Sequence, residues 1–237
     1  MINTLIIMLL FELILILLFL VIFSVISYKK KLLNAEGILI ANAVGLAAIT
    51  YGPNPSLCFL AVVLFFVIGE IASNYPKRKH ETRNIWNVVG NSLSALAVLS
   101  LVAIYPEHAV IFQIGFFGAV SAALADTLSS EIGYYSKKKP RLITTMKQVV
   151  RGTDGGVTRL GEVAGLCGAL VIGLLYFIVY QNIFAFIIIV IAGVVGENID
   201  SLFGAIFETK KLLNNTQVNL LGGLAGAIFA LALTLLL

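Results

Sequence analysis

The sequence predicts an all-α, polytopic integral membrane protein, a bundle of about eight transmembrane helices. Hydrophobic residues make up 59% of the 237 residues and charged residues only 12%, which is far from the composition of soluble domains. The 16 Lys and Arg residues fall in four polar loops and are missing from the polar gaps between those loops. This positive-inside pattern predicts a multi-pass cell-membrane protein with cytoplasmic basic loops and both termini outside.

Hydropathy divides the chain into eight apolar segments close to the length of about 20 residues that a spanning helix needs. The predicted spans are 5–27, 32–50, 57–73, 84–104, 109–133, 160–179, 183–207 and 218–237. They leave no room for a soluble domain, so residues 1–237 are predicted to form a single transmembrane domain. The net charge of +4 comes from residues beside the spans, so we expect membrane lipids and no nucleic acid as partners.

The polar segment 134–158 is the longest connection and is predicted to be a cytoplasmic active-site loop, because long loops in compact domains are usually functional or disordered. Its apolar residues predict a short amphipathic helix over 143–150 that lies on the membrane. Gly152, Gly155 and Gly156 free the backbone to form a concave nest of amides, which suits phosphate. A flexible loop flanked by topology-setting charges is the alternative.

Acidic residues inside membrane spans are costly and therefore indicate function. Glu12 stands alone in the first span, where a buried protonated acid or a helix–helix hydrogen bond is the plainer interpretation. Several other acids lie toward the predicted cytoplasmic side, at the depth of the basic loops: Glu70, Asp126, Glu131, Glu162, Glu197 and Asp200. Acids and bases at one depth predict a polar pocket at the inner interface.

Helical spacing groups some of these acids with hydroxyl groups. Asp126 and Ser130 share one face of the fifth span, and Glu197 and Asp200 share one face of the seventh. Carboxylates and other oxygen ligands suit Mg²⁺, so the predicted metal ligands are Asp126, Ser130, Glu197 and Asp200. Interhelical hydrogen bonding is the alternative. Polar residues of the fourth span and of the patch that leads into the last span complete the set, as binding groups or only as helix caps: Asn91, Asn215 and Asn219.

These motifs resemble those of an integral-membrane family that includes vertebrate transmembrane protein 19 and the plant phytyl-phosphate kinase of vitamin E synthesis. The similar blocks are 125–133, 140–145, 152–158, 196–205 and 214–219. Thr216 departs from the acid that we expect in many relatives. The resemblance implies a polyprenyl-phosphate kinase, which converts an isoprenyl monophosphate to its diphosphate with a nucleoside triphosphate. A distant similarity to phytol and dolichol kinases makes CTP the expected donor.

The resemblance and the residue pattern together give expected roles. The catalytic residues would be Asp126, Glu131, Lys147, Arg151 and Asp200. The substrate- and nucleotide-binding residues would be Arg141, Thr145, Gly152, Thr153, Asp154, Gly155, Gly156, Asn91, Asn215 and Asn219. Mg²⁺ is the expected cofactor, an isoprenyl phosphate lipid and the nucleotide are the expected partners, and a homodimer is left open. A lipid-phosphate cytidylyltransferase and an ion-coupled transporter or flippase are the alternatives.

Overall fold

A computed structural model describes residues 2–74 and 82–236, with the side chains of all of these except 2–10 and Glu12. The described part therefore excludes the side chain of Glu12. It also excludes three residues of the second basic loop, Lys77, Arg78 and Lys79. The described residues form eight α-helices, which confirms an all-α polytopic bundle. They are α1 (Ile2–Lys29), α2 (Ala35–Tyr51), α3 (Pro55–Ser73), α4 (Ile85–Ser100), α5 (Ala109–Gly133), α6 (Arg159–Tyr180), α7 (Ile183–Phe203) and α8 (Asn215–Leu236).

Six helical segments of the described chain are long and apolar enough to cross a membrane. They are Pro55–Ser73, Ile85–Ala103, Pro106–Gly133, Arg159–Tyr180, Ile183–Glu208 and Asn215–Leu236. Two shorter apolar helices, Leu13–Lys29 and Ala35–Tyr51, correspond to the first two predicted spans. Every predicted span therefore coincides with an apolar helix, although α2 has only 17 residues.

Polar caps explain why these helices begin where they do. A side-chain oxygen at the first position outside the helix accepts a hydrogen bond from a backbone N–H of the first turn, which would otherwise lack a partner. The residues that cap helices in this way include Asn34, Asn54, Asn84, Thr158 and Asn182. Such caps let the chain turn back within a few residues.

Helix α5 occupies the centre of the bundle and packs against α3, α4, α6, α7 and α8. Helix α8 touches both α5 and α7 almost backbone to backbone, because the contacting residues are small. A Cβ added at Gly118 of α5 would lie 2.9 Å from the carbonyl oxygen of Gly226, and one added at Gly196 of α7 would lie 2.8 Å from that of Gly222. Small residues allow this close approach of membrane helices.

The same helix faces carry polar residues at one end. On α5, Gly118, Ala122 and Asp126 follow one another at four-residue spacing, and on α7 Asp200 follows Gly196 at the same spacing. On α8, Asn219 precedes Gly222 by three residues. The close packing of the three helices therefore brings Asp126, Asp200 and Asn219 to one place.

A short main-chain pairing ties the first two helices to the rest of the bundle at this end. The N–H of Arg83 donates to the carbonyl of Leu32 and the N–H of Asn34 donates to the carbonyl of Arg83, both at 3.0 Å. Leu33 and Arg83 thus form an isolated parallel bridge. It fixes the backbone of Arg83, immediately before α4.

Segment 134–158 contains no amphipathic helix, so the helix predicted over 143–150 is wrong. Two short strands, β1 (Arg141–Leu142) and β2 (Gly156–Val157), pair in antiparallel fashion. On its other side Arg141 bridges Gln148, and the N–H of Val149 donates to the carbonyl of Pro140 at 3.0 Å. Because residues 140–143 already bond to chain on both sides, their backbone groups are not available for the i to i+4 bonds of a helix.

Candidate functional site

A polar cavity of about 570 Å³ opens at the end of the bundle that carries Arg83 and segment 134–158, which we term the basic end. Its walls come from α3, α4, α5, α7, α8 and the loop after β1. This volume lies within the usual range of small-molecule sites, roughly 300–1,000 Å³. The described lining includes most of the predicted site residues: Asn91, Asp126, Ser130, Glu131, Arg151, Gly152, Thr153, Asp154, Gly155, Gly156, Asp200, Asn215 and Asn219.

Asp126 of α5 and Asp200 of α7 form the centre of the cavity. Their carboxyl groups lie within hydrogen-bonding distance of each other, although the residues are 74 positions apart in the chain. A Cβ added at Gly222 of α8 would lie 2.8 Å from Cβ of Asp200, so Asp200 rests directly on the backbone of α8. Two carboxyl groups held together by three closely packed helices are fixed in position without a flexible loop.

Asparagines from two further helix positions extend this centre. Asn219 of α8 lies 3.4 Å from Oδ1 of Asn91 of α4. With its amide turned so that the nitrogen faces acceptors, Asn219 donates to Oδ2 of Asp200 at 3.2 Å and to the carbonyl of Asn215 at 3.1 Å. In this orientation hydrogen bonds run from Asn219 of α8 through Asp200 of α7 to Asp126 of α5, and Asn91 of α4 lies beside them. The neighbouring Asn214 instead caps α8, accepting from the N–H of Gln217 at 3.0 Å.

The glycine loop lines the same cavity as the carboxyl pair. Gly152 and Gly155 have positive φ angles of 83° and 71°, a region that residues with a side chain rarely adopt. Gly155 is also pressed against α7, because an added Cβ would lie 2.5 Å from the carbonyl oxygen of Ser201. Gly152 has nothing within 4 Å of such a Cβ. The loop is thus anchored at Gly155 and open at Gly152.

Part of the predicted amide nest is already used inside the loop. The N–H of Thr153 donates to the carbonyl of Val150 at 3.2 Å, and the N–H of Gly156 donates to the carbonyl of Thr153 at 2.9 Å. A phosphate cradle would therefore have to draw on other N–H groups of the loop. The N-terminus of α6 follows directly, and its cap Thr158 also lines the cavity. Its partial positive charge favours an anion there.

Only some of the predicted cations reach the cavity. Arg151 lines it, and one guanidinium nitrogen of Arg151 donates to the carbonyl of Ser136, which holds the side chain in place. Arg141, Thr145 and Lys147 are exposed and lie outside the described lining. They sit around the turn of 142–147, closed by bonds between Leu142 and the backbone of Met146 and Lys147.

Glu131 occupies the side of the cavity that faces α3. Its Oε1 accepts a hydrogen bond from Ser73 Oγ at 3.2 Å, and Ser73 Oγ in turn accepts one from Arg83 at 2.7 Å. Arg83 also forms an ion pair with buried Glu70 at 3.2 Å. The motif analysis missed Arg83 as a site residue, since a single Arg beside a span is typical of a topology determinant. Its position depends on the bridge to Leu33, for which the sequence gives no signal.

Glu197 does not join the predicted metal ligands. It is 1% exposed and lies outside the cavity lining. An added Cβ at Gly165 of α6 would lie 2.6 Å from its carboxyl carbon, so the side chain points toward α6. Three residues of helix separate Glu197 from Asp200, a difference of roughly 60° in direction. That difference in direction suffices for Asp200 to face the cavity while Glu197 faces α6.

The charges around the cavity favour a cation. Among the described lining residues, five carboxyl groups (Asp126, Glu131, Asp154, Asp200 and Glu208) face two arginines, Arg83 and Arg151. Within 2–74 and 82–236, no group of three or more His, Cys, Asp or Glu side chains is arranged to hold a metal alone. A pair of carboxylates nevertheless fits Mg²⁺, which commonly binds through one or two carboxylates together with water and substrate phosphates.

Comparisons with known proteins agree with the resemblance seen in the motifs. The chain is 35% identical to the uncharacterized membrane protein MJ0933 of Methanocaldococcus jannaschii, over 84% of this chain and 85% of that protein. It is 30% identical to the chloroplastic protein VTE6 of Arabidopsis thaliana, over 84% of this chain and 64% of that protein. No solved structure matches. The family model described as integral membrane protein DUF92 matches residues 18–227, and the chain therefore belongs to the DUF92 family of integral membrane proteins.

Proposed function

We propose that this chain is a membrane-embedded phosphotransferase, which uses a nucleoside triphosphate to convert an isoprenyl monophosphate into its diphosphate. The observation that carries the proposal is the contact between Asp126 and Asp200 inside a polar cavity that the glycine loop also lines. Phosphoryl transfer depends mainly on positioning and charge neutralisation. A cavity with paired carboxyl groups, arginines and a helix N-terminus supplies both.

Five residues of the cavity take specific roles in this proposal. Asp126 and Asp200 would hold Mg²⁺, which when bound neutralises phosphate charge. Asn219 keeps Asp200 oriented, and Arg151 with the open backbone at Gly152 binds the phosphates of the nucleotide. No general base is needed, because an acceptor phosphate is already ionised at neutral pH. Glu197, Arg141 and Lys147 take no part in binding.

The family resemblance supports the choice of substrate, since the family that the motifs resemble includes the plant phytyl-phosphate kinase. The donor that we propose is CTP, by the distant similarity to phytol and dolichol kinases. We place the cavity on the cytoplasmic side of the cell membrane, where nucleotides are present and where the basic loops are expected. A lipid-phosphate cytidylyltransferase would use the same groups but would release pyrophosphate.

The test is conversion of geranylgeranyl or phytyl monophosphate by the purified protein in lipid nanodiscs. Mg²⁺ and each of CTP, ATP, GTP and UTP are supplied, and mass spectrometry identifies the products. We expect the lipid diphosphate and a nucleoside diphosphate. Asp200→Asn and Asp126→Asn should each lower the rate on the order of 100-fold or more, as for other groups that stabilise transition-state charge.

Glu107→Gln is the matched control, because Glu107 lies between α4 and α5, away from the cavity, and its side chain is 62% exposed. It should retain the wild-type rate. A folded wild-type protein that forms no diphosphate with any of the four donors would refute the kinase. Formation of a nucleotidyl lipid with release of pyrophosphate would assign the cytidylyltransferase instead.

A further inference from the structure

An apolar groove adjoins the polar cavity on the side of α1 to α4. It shares Arg83, Asn87 and Asn91 with the cavity, so the two spaces are adjacent and meet at these residues. Away from those three residues the described lining is almost wholly apolar, formed by residues such as Val63, Phe66, Val88 and Leu96. An arginine and two amides thus separate the cavity of the carboxyl pair from a hydrocarbon-like environment.

Helix α4 shows how the sequence builds this transition. Asn87, Asn91 and Ala95 repeat at four-residue spacing and therefore lie on one face. All three line the groove, and the first two also line the cavity. Going along the helix from the basic end, the face changes from amide to methyl within two turns. That change matches the boundary between a polar headgroup and the start of an acyl or isoprenyl chain.

The groove reaches the outer surface of the bundle between α1 and α3. Phe19 of α1 is 36% exposed and Val67 of α3 is 41% exposed, and both line it. Rings cross this wall in edge-to-face contacts, with 4.7 Å between the ring centres of Phe23 and Phe66. The enclosed part of the groove is only about 70 Å³. It can hold a short length of chain, and the remainder must lie among the bilayer lipids.

We infer that this groove binds the first part of the isoprenyl chain of the acceptor, with its phosphate beside Arg83, Asn87 and Asn91. The inference rests on the proposed function and adds the place where the lipid binds. The acceptor enters sideways from the bilayer between α1 and α3, where the rings of Phe23 and Phe66 must move apart to admit it. The protein recognises the first isoprene units next to the phosphate and tolerates different chain lengths, since the distal chain stays in lipid.

Ser92 offers a direct test, because it is a small, half-buried residue of the groove. Ser92→Trp should fill the groove and raise the KM for geranylgeranyl monophosphate at least tenfold, while binding of the Mg²⁺–nucleotide stays within twofold of wild type. Leu93→Trp is the matched control, since Leu93 is the next residue of α4 but is 46% exposed on the outside. It should leave both quantities unchanged. Equal effects of the two variants on KM would overturn the inference.

Photolabelling of the wild-type protein tests the same inference without any activity. A geranylgeranyl monophosphate with a diazirine in its second isoprene unit should label groove residues of α3 and α4, as mapped by peptide mass spectrometry. Excess unlabelled geranylgeranyl monophosphate should suppress the label. Labelling elsewhere on the bundle, or equal labelling of the groove by a diazirine phosphatidylcholine, would overturn the inference. A wild-type protein that is labelled in the groove but makes no diphosphate would refute the proposed function alone.

Discussion

Replacing Gly155 by alanine tests how the glycine loop is held against α7. A side chain at its φ of 71° costs about 1–2 kcal/mol. The added Cβ would also lie 2.5 Å from the carbonyl oxygen of Ser201 and 2.6 Å from the backbone nitrogen of Ala205, and overpacking of this kind costs about 1–3 kcal/mol. The sum, about 2–5 kcal/mol, weakens docking of the loop by roughly 30-fold to a few thousand-fold.

Gly152→Ala is the matched comparison, because Gly152 has a φ of 83° but nothing within 4 Å of an added Cβ. It carries only the conformational cost, so docking should weaken by roughly 5- to 30-fold. Hydrogen exchange of the N–H groups of Thr153 and Gly156 in nanodiscs measures loop opening, since both donate inside the loop. An effect of Gly155→Ala no larger than that of Gly152→Ala would refute the proposed anchoring.

Two further predictions concern the arginines of the cavity. Arg151→Ala should weaken Mg²⁺–nucleotide binding about tenfold or more in a calorimetric titration. Lys147→Ala should leave that binding unchanged, because Lys147 lies outside the cavity lining. Equal losses of affinity in the two variants would contradict the site as described. Arg83→Ala should lower the thermal unfolding temperature in detergent, because it breaks the ion pair with Glu70, whose side chain is 7% exposed. We expect a loss of about 3 kcal/mol in the free energy of unfolding. Lys210→Ala is the control and should change the unfolding temperature little, since Lys210 is exposed. An unfolding temperature for Arg83→Ala equal to that of Lys210→Ala would show that the pair does not stabilise the bundle.

The sequence was sufficient for the helices and for much of the cavity. Long apolar segments must form helices in a membrane, because every backbone group needs a partner within the segment. The costly acids and the small residues then indicated which ends of those helices matter. Asp126, Asp200 and Asn219 meet because each stands at the end of a face of small residues, a pattern that can be read from spacing.

Features that depend on the rotation of one helix against another could not be predicted in this way. The three-residue spacing of Glu197 and Asp200 leaves a difference of roughly 60° between their directions on α7. Within that difference Asp200 faces the cavity and Glu197 contacts Gly165. The hairpin in 134–158 replaced a predicted helix because pairing with distant Gly156 and Val157 outweighs local periodicity. The position of Arg83 in the cavity wall depends on a backbone bridge to Leu33, which the sequence pattern did not predict. The single-domain assignment, the cofactor, the donor and the partners stay predictions.

The contacts of α8 with α5 and with α7 through glycine have a consequence for movement. Where backbones touch without intervening side chains, one helix cannot slide along another without separating from it first, because there are no flexible groups to adjust. The spacing between Asp126 and Asp200 should therefore be the same before and after a substrate arrives. Any opening that admits a large molecule has to come from the more loosely attached helices, α1 and α2, which contact the bundle mainly through α3 and α4.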